Sequence, residues 1–168
     1  MEIKLTDEEA KYLIELLKFV FKKYKVDLRP GNKGDVLLTT EEEYEFILHY
    51  YTPSHRGDRL SLHLRERETN TNLVRINIDP NGFHKNSNGE TIYGNRILIF
   101  SYEGWVNKSD GYTHVRAYNL PKEFKNIDCL EQVFLDFLLY INVKSEGERQ
   151  RDTENSIDNE RDWKEPFV

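Results

Sequence analysis

The chain has 168 residues, enough for one domain with a sizeable core and a tail. Its net charge of −6 argues against a non-specific nucleic-acid binder, which carries a basic surplus. Ten Tyr and nine Phe against a single Met predict an interior filled largely by aromatic rings.

Met1 leads at once into acidic Thr6-Asp7-Glu8-Glu9, not into a basic and then apolar stretch, so no signal peptide is expected. The same four residues read as a capping box. Ala10, Leu13, Ile14, Leu17, Val20, Phe21 and Tyr24 follow at i, i+3, i+4 spacing and predict one amphipathic helix of about five turns. Lys22, Lys23 and Lys25 would complement its dipole. Arg29 to Gly34 holds Pro30 and Gly31 and breaks the chain. A short strand is expected over Val36 to Thr39.

A meander follows. Tyr44, Phe46, Leu48 and Tyr50 share one side of a strand, and Pro53 to Asp58 reads as a turn. Leu60, Leu62 and Leu64 alternate with Ser61, His63, Arg65 and Arg67, as in a half-buried antiparallel strand. Thr69 to Asn72 makes a hairpin turn, after which Val74, Ile76 and Ile78 alternate with Arg75, Asn77 and Asp79. Asp79 to Gly89 is a polar loop with two Asn-Gly pairs. Ile97 to Ser101, apolar on both faces, predicts a covered strand. A loop through Trp105 and Gly111 leads to His114, Arg116 and Tyr118, which alternate with Val115 and Ala117.

Asp128 is placed to cap a second helix with the stripe Leu130, Val133, Phe134, Phe137, Leu138 and Ile141. Cys129, the one cysteine, reads as a buried inert thiol and implies a reducing compartment. From Ser145 on the periodicity dissolves into eight acidic and four basic residues, a net −4, with few apolar side chains to offset the entropy of ordering. Within that tail Trp163 and Phe167 are candidate partner-binding residues; the other reading is a loose end. No apolar run approaches a membrane span. The expected location is the cytoplasm, the chain's own or a host's.

The resulting expectation is an α+β fold with two layers. Residues 1–144 form an antiparallel meander of five to six strands with an N-terminal and a C-terminal amphipathic helix on one face, and 145–168 form a charged, flexible tail. The other sheet face stays open and carries the polar alternates.

All five histidines lie between His49 and His114. His63, His114 and Arg75 on alternating strand positions and His84 in the polar loop are candidate catalytic residues, and Arg65, Arg67, Arg96 and Arg116 candidate RNA- or phosphate-binding ones. Imidazole serves as general acid or base, and guanidinium grips a phosphate bidentately. Those parts suit metal-independent RNA cleavage by attack of the 2′-hydroxyl. Whether the sets converge depends on strand register, which sequence does not fix. The alternative is a face that is merely wet, its Arg and Glu residues pairing across strands.

The strand Leu73 to Ile78 and the loop His84-Lys85-Asn86-Ser87-Asn88-Gly89-Glu90 together resemble a domain family of unknown function from Gram-positive bacteria and their phages. There an Arg-bearing apolar strand precedes a His-x-Asn-x-x-Gly loop and another apolar strand follows. The resemblance covers roughly Thr6 to Val143. The family loop more often has Pro-Asp where this chain has Ser87-Asn88, and its later strand often carries His where this one reads Arg96 to Phe100. The resemblance implies a mobile-element setting rather than a reaction.

No metal-ligand spacing and no nucleotide fingerprint is present, so neither a metal nor a cofactor is expected. Three functions stay open: a ribonuclease-like toxin or anti-defence factor acting on RNA, an acidic inhibitor of a host nucleic-acid-binding protein, and a partner protein working as an oligomer through a sheet edge.

Overall fold

The computed structural model describes residues 5–53, 57–108 and 115–144, without the side chains of 105, 107 and 108. His114, Trp163, Phe167 and the tail that holds the last two lie outside the described residues.

Helix α1 (Asp7–Glu15) begins at the expected capping box. The Thr6 hydroxyl accepts the Glu9 N–H at 3.1 Å, and the Thr6 N–H donates to Glu9 Oε1 at 3.2 Å. The helix is much shorter than its periodicity predicts. It ends after nine residues and gives way to strand β1 (Lys18–Val20). Phe19 and Val20 favour a pleated surface, and pairing with Thr39 and Leu38 fixes them there.

Strands β2 (Lys33–Thr39), β3 (Glu45–Tyr51), β4 (Leu60–Glu66) and β5 (Thr71–Ile78) continue the meander. Where a polar loop was expected, β6 (Phe83–Lys85) and β7 (Thr91–Tyr93) form a separate hairpin. Strand β8 (Arg96–Phe100), helix α2 (Tyr102–Lys108) and strand β9 (Val115–Asn119) follow, then helix α3 (Leu130–Tyr140) and strand β10 (Val143–Lys144). Helix α2 replaces an expected loop; the Ser101 hydroxyl accepts the Gly104 N–H at 3.0 Å and opens it. Asp128 does not cap α3, whose N-cap is the half-buried Cys129 with no side-chain cap bond.

The main sheet has eight strands in the order β10-β1-β2-β3-β4-β5-β8-β9, not five or six. The extra ones are short segments at the helix ends, too brief to show a period of two. Every neighbouring pair is antiparallel except β1 with β10.

Helices α1 and α3 pack on one face, where Leu13, Ile14, Phe134 and Phe137 meet Leu38, Phe46, Leu62 and Ile76. Buried Lys18 ties the ends of these helices together. Its Nζ donates to the carbonyls of Ile14 at 2.7 Å, Leu16 at 2.8 Å and Ile141 at 2.8 Å, meeting helix-end acceptors that would otherwise lack partners. Lys22, Lys23 and Lys25, expected at the end of α1, lie beyond it; Lys18 does their work.

On the other face, among the described residues, only β8 and β9 are covered, by Ile92 of the hairpin packed on Leu98 and Ala117. Asn86 fastens that hairpin. Its Nδ2 donates to the Ala117 carbonyl at 3.0 Å, and its Oδ1 accepts the Ala117 N–H at 2.7 Å. The rest of this face, over β2 to β5, carries the polar alternates Asp35, His49, Ser61, His63, Arg65, Arg75 and Asn77, with half-buried Leu37 and Ile47 beside them.

Candidate functional site

Strand register assembles a row of polar residues across the open face. Asp35 pairs with His49, His49 with His63, and His63 with Arg75, one residue from each of β2, β3, β4 and β5. Each lies on the side opposite the buried alternates Val36, Leu48, Leu64 and Ile76, so all four point away from the core.

The row is a chain of contacts. His49 Nδ1 lies 2.5 Å from Asp35 Oδ1, which fixes the imidazole and leaves Nε2 as its outward nitrogen. The His49 and His63 rings are 5.0 Å apart between centroids and tilted by 36°. His63 Nδ1 accepts from Arg75 Nη2 at 3.4 Å, a long bond. Burial, then the charges of Arg75, His49 and Arg65, push the His63 imidazole down to about 4, with Asp35 opposing. His63 is therefore neutral at pH 7.

Beside the row lies a cavity of about 230 Å³ that Arg59, Arg75, Arg96 and Asp79 help to line, with Tyr51 and Ser61 among the other wall residues. Arg59 Nη2 donates to Asp79 Oδ2 at 3.3 Å, and Arg96 Nη1 donates to the Gly94 carbonyl at 2.9 Å. Gly82 lets this wall close up: a Cβ there would stand 2.3 Å from Asp79 Oδ2 and 2.9 Å from Arg96 Nη1.

The candidate residues from the sequence divide between these places. His63, Arg65 and Arg75 come together in the row, and Arg96 joins them through the cavity. Arg67 stands past the end of β4 and pairs with Glu45 at 3.0 Å, the cross-strand pairing a wet face would show. His84 belongs to the hairpin, opposite Ile92, with its Nε2 buried. It is not among the charged or titratable groups that face His63.

Arg116 is on the opposite side. It pairs with Ile99, stacks over the Tyr118 ring at 5.4 Å and lines a cavity of about 450 Å³ beside α1. Ala117, not Arg116, is the β9 residue on the open face. Sequence reasoning passed over Asp35, and placed His49 and Arg59 only among the histidines and arginines of the meander without assigning either a role. The alternation of Phe46, Leu48 and Tyr50 already placed His49 on the open side.

In the loop that carries the family resemblance, Asn86 is the docking residue and Gly89 takes φ +92° at the turn. Among the described residues no three His, Cys, Asp or Glu side chains come together as a metal set. None of their helices is long and apolar enough to cross a membrane.

A mostly antiparallel sheet with helices on one face and a His–Arg row on the other defines an α+β protein. The chain belongs to DUF6978, a family of unknown function, which it matches over residues 5–143. No curated protein and no solved structure matches it.

Proposed function

We propose that the open face binds RNA and cleaves it without a metal, with a phosphodiester held over His49, His63 and Arg75. The observation that carries this reading is the continuous Asp35–His49–His63–Arg75 row, in which a carboxylate orients one imidazole and a guanidinium flanks the other. His49 takes the 2′-hydroxyl proton on Nε2, and Asp35 offsets the charge that forms on the ring. The 2′-oxygen bonds to phosphorus, the bond from phosphorus to the 5′-oxygen breaks, and the leaving oxygen takes the proton that His63 has first bound from solvent as the phosphate docks. Arg75 and Arg65 stabilise charge on the phosphate. Burial depresses His63 first and the neighbouring cations second; the bound phosphate offsets the cations and so raises the pKa, which is what lets His63 bind that proton. In the mobile-element setting that the sequence resemblance implies, such an activity would serve a toxin or an anti-defence factor.

The test is incubation of the purified protein with structured RNA in EDTA, followed by assay for 2′,3′-cyclic phosphate ends. Cleavage should fall by about 10²-fold or more in His49→Ala and in His63→Ala. Intact RNA, or cleavage unchanged in both variants, removes this reading.

A further inference from the structure

We propose that the cavity between Arg59, Arg75 and Arg96 is a binding site for a phosphate dianion, of the kind borne by a phosphomonoester or by free phosphate. Three guanidinium groups line it, and Asp79 is the one carboxylate among its lining residues, so the wall carries an excess of two positive charges. That excess matches a dianion better than the single charge of a phosphodiester. Arg96 is only 8% exposed, and Asp79, which attracts it and also bonds Arg59, cannot offset all three cations by itself.

The protein meets the Arg59 and Arg96 guanidinium groups only in part. Arg59 Nε and Arg96 Nε are buried without a hydrogen-bond partner among the described residues, although buried donors are nearly always met. Asp79 engages Arg59 from one side only, at 3.3 Å. Ser61 and Asn77 add neutral hydrogen-bonding groups to the wall. Tyr51, 44% exposed, offers a ring against which the organic part of a phosphomonoester can lie. The volume of about 230 Å³ admits a phosphate and part of what it is attached to. Planar guanidinium forks suit phosphate oxygens better than point charges do.

Except for Arg75, this site uses none of the residues assigned to RNA cleavage, so it can be tested separately. Inorganic phosphate and adenosine 5′-monophosphate are titrated into the full chain at low salt and pH 7.5 and followed by calorimetry, with chloride at matched ionic strength as the blank. Saturable binding is expected, at least about tenfold weaker in Arg59→Gln. The Arg59 side chain is 38% exposed, so that variant should fold. Arg96→Lys, which keeps the charge but loses the fork, should weaken binding as well. Lys11→Gln, which removes an exposed charge on α1 that pairs with Glu15 at 3.9 Å outside the cavity, should bind phosphate within about twofold of the parent. No saturation at millimolar phosphate overturns the proposal, as do a response no different from chloride and equal affinity in Arg59→Gln. Tighter binding of the nucleotide than of phosphate marks an organic phosphomonoester as the ligand; equal binding marks free phosphate. RNA cleavage lost with phosphate binding kept, or the reverse, shows which of the two readings has failed.

Discussion

Keeping His63 neutral has a consequence for stability. In the unfolded chain a histidine titrates near 6.5, whereas in the fold His63 does so at about 4. Between those values the unfolded state binds more protons, so stability is full above about pH 6.5 and falls as pH drops toward 4. Urea melts across that window should show a steeper loss in the parent than in His63→Gln, and parallel curves would refute the shift. At this scale the sequence was half legible. Alternation put His63 and Arg65 on one face of β4, as observed, but left to strand register whether Arg75 joins them, which the pairing of His63 with Arg75 decides. Asp35 was missed because the expected strand began at Val36, which left the carboxylate in the preceding turn. Arg116 was misplaced for a different reason: period two separates it from Ala117 but does not say which of them meets Leu98.

The β6–β7 hairpin and the ends of α1 show where element boundaries escape the sequence. A run as polar as Asp79 to Gly89 gives no strand signal, yet three-residue strands need only one anchor, and Ile92 supplies it. Leu17, Val20, Phe21 and Tyr24 continue a helical period past Glu15, yet all three residues of β1 are buried and Phe21 is exposed, so the period there marks no helix face. Asn86 bears more of the hairpin than any apolar side chain there, since it takes both backbone groups of Ala117 on edge strand β9. Asn86→Ala should therefore free that edge. We expect faster amide exchange at Ala117 and concentration-dependent association, because an open edge templates pairing with another chain. Unchanged exchange at Ala117 would show that the hairpin is held by Ile92 instead.

For the whole molecule, the α+β class and the two-faced sheet were readable from helix and strand periods, while the strand count was not. Strands of two or three residues exist only because distant segments hold them, and β1 with β10 is the example. Lys18 adds a second tie at the same place, joining residues 123 positions apart. Burial pushes its ammonium down to about 7, and the three carbonyl acceptors favour the charged form. Lys18→Met fills the space but leaves those acceptors unmet, two of them in buried bonds. Chemical denaturation should register a loss on the order of 3 kcal/mol, and a change within 0.5 kcal/mol, typical of surface positions, would deny Lys18 its structural role.

That tie also sets an order of events during synthesis. The meander from β2 to β5 can pair as it emerges, each strand meeting a neighbour only recently made. Strand β1 can pair with β2 early, but its second neighbour β10 and the Ile141 carbonyl that completes the Lys18 tie are made only at the end. The first strand of the sheet is thus among the last to be settled, and nascent chains halted before residue 141 should carry an N-terminal segment still open to proteolysis.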